Sequence, residues 1–100
     1  MKTDTPNGPT KKVQHYALRL FVAGNAANSQ IARENLERLR ARYPDYEFEV
    51  EVIDLNIDPE VALTHGIFIS PALQVIEPPT GGVIYGNLSD ERVLERVLKL

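Results

Sequence analysis

There is no cysteine anywhere in the 100 residues, so the chain can form no disulfide and offers no thiolate nucleophile. That absence also fits a reducing compartment. No apolar run approaches the roughly 18 residues that a membrane-spanning helix needs. The N-terminus lacks the apolar core of a signal peptide, and the expected address is the cytoplasm. Nor is there an excess of positive charge. The 11 Lys and Arg against 14 Asp and Glu leave a net charge of −3, which argues against nonspecific binding to nucleic acid or to an anionic membrane. His15 and His65 are the only imidazoles, and neither stands at metal-ligand spacing from a carboxylate cluster. Gly24 precedes a helical pattern without the GxxxxGK[ST] run that cradles phosphates. No metal and no cofactor are therefore expected.

What remains is ordinary globular material, 43% hydrophobic and 25% charged, enough for one small core and one domain. Residues 1–12, with Pro6, Asn7, Gly8 and Pro9, read as a flexible N-terminal arm, and residues 13–100 as the folded domain. From Val13 to Val22 the chain alternates, with Tyr16, Leu18, Leu20 and Val22 on one face and Ala17, Arg19 and Phe21 on the other. Apolar content on both faces suggests a central strand. Asn28 or Ser29 is positioned to cap a helix running from Ser29 to about Tyr43. Its apolar stripe is Ala32, Leu36, Leu39 and Tyr43, and Pro44 stops it.

Glu47 to Leu55 reads as a second strand, with Phe48, Val50 and Val52 alternating against Glu47, Glu49 and Glu51, hence one solvated face. Asp58-Pro59-Glu60 starts a short helix that Gly66 ends in a left-handed cap, and His65 is its C-terminal cap residue. Leu73 to Ile76 and Val83 to Tyr85 flank a Pro78-Pro79-Thr80-Gly81-Gly82 turn and read as a hairpin. A last helix starts at Ser89, with Asp90 and Glu91 at its positive end and Val93, Leu94, Val97 and Leu98 on its buried face.

The order is βαβαββα, and Gly66-Ile67-Phe68-Ile69-Ser70-Pro71-Ala72-Leu73 resembles the cis-proline loop of a thioredoxin fold. The resemblance implies an α/β, thioredoxin-like single domain: a mixed four-stranded sheet with helices on both faces. It also implies a cis peptide before Pro71. Such an oxidoreductase needs sulfur beside that proline. This chain has none, so its function is expected to lie in binding and not in catalysis.

A second resemblance is narrower. Tyr16-Ala17-Leu18-Arg19-Leu20-Phe21-Val22-Ala23-Gly24-Asn25, then Asn28-Ser29, Val52-Ile53-Asp54, Ser70-Pro71-Ala72-Leu73, Pro78-Pro79 and Gly86-Asn87-Leu88-Ser89 together resemble the KaiB family over about Val13 to Leu100. The resemblance implies a small regulatory protein that docks on a KaiC-type hexameric ATPase. The sensor domain of a SasA-type histidine kinase is similar to KaiB and is the near alternative. A partner-binding surface is then expected on the first helix and second strand, at Asn28, Ser29, Ile31, Ala32, Val50 and Glu51. The family is also known to switch between this fold, as a monomer, and another, as a tetramer. Here a monomer or weak homo-oligomer, dimer or tetramer, is expected.

Val97 and Lys99 stand where clock members carry a glycine and an acid. Both replacements are expected to favour the C-terminal helix and so the thioredoxin-like state. Clock members have basic residues in the second strand, where this chain has Glu51, and that difference points to a divergent member acting in stress or signalling. A third reading, a glutathione-using enzyme, takes Ser29 as the hydroxyl that stabilises a thiolate. Helix capping explains Ser29 more simply. Asp54 is expected to serve structure at a strand end, and the acidic face of Glu47, Glu49 and Glu51 to be solvated, to protect an edge or to dock a partner.

Overall fold

A computed structural model describes residues 14–67, 69–79 and 82–100. The expected N-terminal arm, the start of order at Val13, Phe68 and the Thr80-Gly81 step lie outside the described residues. The strands are β1 (Gln14–Val22), β2 (Tyr46–Asp54), β3 (Ala72–Glu77) and β4 (Val83–Tyr85), and the helices are α1 (Ala27–Arg42), α2 (Pro59–Thr64) and α3 (Glu91–Leu98). They follow the expected βαβαββα order in one sheet arranged β2-β1-β3-β4. The crossover through α1 makes β2 parallel to β1, whereas β3 runs antiparallel to β1 and pairs with β4 through the hairpin.

Alternation along β1 divides the core in two. Tyr16, Leu18, Leu20 and Val22 meet Ala32, Leu36 and Leu39 of α1, Leu94 and Leu98 of α3, and Leu73, Val75 and Ile84 of the sheet. On the opposite face Phe21 packs with Ala62 of α2, Ile67 and Ala72. Helices therefore lie on both faces, as the sequence implied. Near Ile76 the β1–β3 register slips, so that Leu18 pairs with Val75 and Ala17 with Glu77. The extra residue is Ile76 of β3, and beyond it Glu77 comes opposite Ala17.

Three local expectations need correction. Helix α1 begins at Ala27, with Ala26 at the N-cap position and no side-chain cap, so neither Asn28 nor Ser29 caps it. The Ser29 hydroxyl instead points back and accepts the Ala23 N–H at 3.0 Å. Helix α3 starts at Glu91, two residues after Ser89, and Asp90 caps it by accepting the Arg92 N–H at 3.0 Å. Lys99 lies beyond the last helical turn in the left-handed region, at φ 58°. A residue with a Cβ is disfavoured there, so Lys99 adds no helical residue to α3, although its cation still stands at the negative end of the helix. Glu95 is held from α1's end instead, accepting from the Tyr43 hydroxyl at 3.0 Å.

The C-terminal helix is tied to the central strand by one long-range contact. The Tyr16 hydroxyl donates to the Leu98 carbonyl at 2.6 Å, satisfying one of the four carbonyls that a helix end leaves open. Tyr46 and Phe48 stack beside the Tyr16 ring with centroids 6.0 and 5.3 Å away. Burial, with Tyr46 adding, pushes the Tyr16 phenol above its ordinary value of 10.0. The folded phenol holds its proton more tightly than the unfolded one. Its contribution is thus complete below pH 10 and is lost as pH rises through the raised folded value.

Tyr16→Phe is expected to cost about 1 kcal/mol in urea unfolding at pH 7. Its stability should also fall less steeply above pH ~10 than that of the unaltered chain. Some alkaline loss should remain, because the hydrogen bond to Glu95 raises Tyr43 as well.

Candidate functional site

The sequence places six residues at a partner surface, and the fold separates them. Asn28 and Ile31 are exposed on α1, Ile31 at 40%. Ser29 and Ala32, at 1% and 0%, are sealed inside and cannot touch a partner. The reason is helical geometry: residues three apart share a face, and Ser29 and Ala32 share the inward one with Leu36 and Leu39.

On β2 the alternation divides the remaining pair. Val50, half-buried, belongs to the core beneath α1. Glu51 points the other way, where its carboxylate accepts from Arg19 Nε at 2.9 Å. The same guanidinium donates through Nη1 to His65 Nε2 at 2.8 Å, and the His65 ring lies 6.2 Å from that of Phe21. Glu51 is thus one end of a polar chain running across β2, β1 and the residue that closes α2, on the far side of the sheet from α1.

Periodicity alone pointed past two groups near α1. Val52 was assigned the inward face, yet it is 44% exposed, because β2 is an edge strand with β1 as its one neighbour. Asn87, in the loop after β4, donates from Nδ2 to Asn28 Oδ1 at 3.3 Å, and its carbonyl accepts from Asn35 Nδ2 at 2.9 Å. It thereby fixes the 86–90 loop against α1. A run of Gly86-Asn87-Leu88-Ser89 announces a turn but not the helix it rests on.

The loop leading into α1 is set by Asp54. Its Oδ1 accepts the Gly24 N–H at 3.0 Å and the Asn56 N–H at 2.9 Å, joining the β1–α1 and β2–α2 loops. That is the structural role expected of a carboxylate at a strand end. Gly24 has φ 53°, a left-handed backbone that favours glycine, and a Cβ there would also displace the exposed side-chain amide of Asn56, 2.8 Å away. The Ser70–Pro71 peptide is cis, as is Glu77–Pro78, and the Pro71 carbonyl accepts the Gly86 N–H at 2.8 Å. Among the described residues no cluster of three or more His, Cys, Asp or Glu could hold a metal. No helix there is long and apolar enough to cross a membrane.

The fold and the site place the chain in the thioredoxin-like α/β class, in a version without cysteine. A thioredoxin of Fasciola hepatica superposes with a TM-score of 0.66 at 17% identity, covering 87% of this chain and 82% of that one. The N-terminal domain of Synechococcus elongatus SasA superposes with a TM-score of 0.72 at 22% identity, covering 99% and 93%.

Within that class the chain belongs to the KaiB family, whose domain matches residues 19–100. The circadian clock oscillator protein KaiB of Nostoc punctiforme is 38% identical over 85 residues, 84% of this chain and 82% of the relative. The circadian clock oscillator protein KaiB1 of a Synechocystis strain is 38% identical over 87 residues, 86% and 81%.

Removing the Asp54 carboxylate tests how firmly the two loops are held. Asp54→Ala is expected to lower stability by about 1–3 kcal/mol, because two backbone N–H groups lose their acceptor. Urea unfolding would measure this, with amide exchange accelerating first at Gly24 and Asn56.

Proposed function

We propose that this chain is a non-catalytic, cytoplasmic regulatory protein that binds a KaiC-type hexameric ATPase or a related signalling partner. The observation carrying this reading is the family match over residues 19–100 combined with two exposed apolar residues on one side of the sheet, Ile31 of α1 and Val52 of the edge strand β2. The docking surface consists of Asn28 and Ile31 of α1 with Val50 and Val52 of β2, on one side of the sheet. Ser29 and Ala32 support it from beneath, and Glu51 borders it from the opposite face.

Glu51 stands where the family resemblance implies a basic residue in clock members. It supports a divergent, non-clock role in stress or signalling. A sensor domain of a kinase is a second reading, favoured by the superposition on the SasA domain. The glutathione-enzyme reading loses its candidate residue, since the Ser29 hydroxyl is buried and engaged with Ala23.

Titration into a KaiC-type ATPase from the same genome, with ATP, followed by sedimentation and hydrolysis rate, is the direct test. Saturable binding with a changed rate is expected, and Ile31→Asp should weaken it about tenfold or more, since it buries a charge in an apolar contact. Ser29→Ala should leave the affinity unchanged. No binding at high micromolar concentration would refute the ATPase reading and turn attention to kinases.

The fold state is part of the same reading. Val97 is half-buried inside α3, where a glycine would cost about 1 kcal/mol relative to alanine. We infer that the thioredoxin-like state dominates. Sedimentation equilibrium should return a monomer, with one set of amide signals, and Val97→Gly should bring out a second set. A tetramer in the unaltered chain would overturn this.

A further inference from the structure

The side of the sheet opposite α1 is only partly covered. Strand β1 has nine residues, about 30 Å at the usual rise of a strand. Helix α2, the helix on that side, has six residues, about 9 Å long. It covers Phe21 and Ala72 at one end. Toward the start of β1 the face between β2, β1 and β3 is left open among the described residues, as a shallow groove of about 240 Å³ lined by Ala17, Arg19, Glu49, Glu51 and Ile76.

Ala17 and Ile76 are half-buried and give the groove an apolar floor. Ile76 follows Ala72 and Gln74 on this face by alternation, and the bulge brings Glu77 opposite Ala17 as well. Beside it Gln74, which pairs with Arg19 across β1 and β3, has a buried Oε1 with no hydrogen-bond partner.

Charge specifies the arrival. Glu47, Glu49 and Glu51 alternate along β2, all exposed, and Glu77 pairs with Ala17 at the opposite side of the groove. Arg19 engages Glu51, and His15 lies 3.8 Å from Glu49. Among the described residues neither Glu47 nor Glu77 is in an ion pair, although His15 stands opposite Glu47 in the register, so carboxylates are in excess here.

We propose that this open half-face docks a basic amphipathic helix of a protein partner. Its apolar stripe would lie on Ala17 and Ile76, and its flanking Lys or Arg would meet Glu47, Glu49 and Glu77. A helix is the element that completes the second covering layer of such a sheet, and its cations are what the surrounding acids complement. This goes beyond the ATPase reading, because it concerns the side of β2 turned away from α1.

The probe is an amidated peptide of about 14 residues with leucines at helical spacing and lysines flanking them. It would be titrated into the full chain by fluorescence anisotropy and amide NMR. Saturable binding is expected, with shifts centred on Ala17, Glu49 and Ile76 and an affinity that falls as salt rises. The double variant Glu47→Lys/Glu49→Lys, altered at two exposed positions, should keep the fold by circular dichroism and weaken binding about tenfold or more.

Five results would each overturn the proposal. The matched peptide with glutamates for lysines could bind as well, the double variant could bind undiminished, or the basic peptide could fail to bind or shift only α1 and α3. Finally, deletion of residues 1–12 without peptide could move the Ala17, Glu49 and Ile76 signals, assigning the groove to the chain's own Lys11 and Lys12.

Discussion

The structure depends on β1 standing at the centre of the sheet with core residues on both of its faces. It takes β2 as a parallel neighbour and β3 as an antiparallel one, and it buries Leu18, Leu20 and Val22 on one face and Phe21 on the other. A shift of one residue in its pairing would exchange those faces and place Arg19 under α1. The parity of this strand therefore fixes which side each helix occupies and which residues of β2 they can reach. The hydrogen bond from Tyr16 to Leu98 extends the same constraint to the end of the chain, so α3 is held by the strand that organises everything else.

What the sequence made legible follows from periodicity and from punctuation. Alternation in β1 and β2, the stripe in α1, and the Asp58-Pro59 and Gly66 boundaries of α2 all describe local geometry, and the structure places those elements within a residue or two. The site was less legible, because a helical or strand pattern says which residues share a face and not what covers it. Ser29 looked like a cap because serine at a helix start usually is one; its hydroxyl was claimed by Ala23, a contact set by the loop's return. Val52 continued the inward pattern of Phe48 and Val50 but passes the edge of the helix layer. Lys99 suits the last turn of a helix only if the helix reaches it, and the chain leaves the helix one residue sooner. The acceptor role of Asp54 toward Gly24 joins positions 30 residues apart in the sequence, which no local pattern records.

Loss of cysteine changes what this scaffold can present. In the absence of a thiol, the start of α1 carries Asn28 and Ile31 outward and holds Ser29 inward, a mixture of amide and aliphatic surface with no group poised for covalent chemistry. The neighbouring 86–90 loop is fixed to the helix through Asn87, and within it Leu88 keeps a left-handed backbone at φ 64° while its side chain is buried. Such a conformation costs roughly 1–2 kcal/mol for a residue with a Cβ, and burial of the leucine offsets it. Packing here selects the backbone and not the reverse. That makes the loop's shape conditional on α1 and α3 remaining in place.

β2 is where these arguments meet. An edge strand exposes a row of backbone donors and acceptors, and charged side chains discourage indiscriminate pairing with another sheet. Glu47, Glu49 and Glu51 all project from one side, about 7 Å from one to the next along the strand, so they repel one another at neutral pH, and the pairing of Glu51 with Arg19 leaves negative charge in excess. A strand arranged this way is guarded against like copies and receptive to a basic surface. Its other side, carrying Val50 and Val52 beside Ile31, has no such guard and favours apolar contact. The two sides of one strand thus select chemically different neighbours, and alternation, the same property that lets the strand join the sheet, keeps those selections separate.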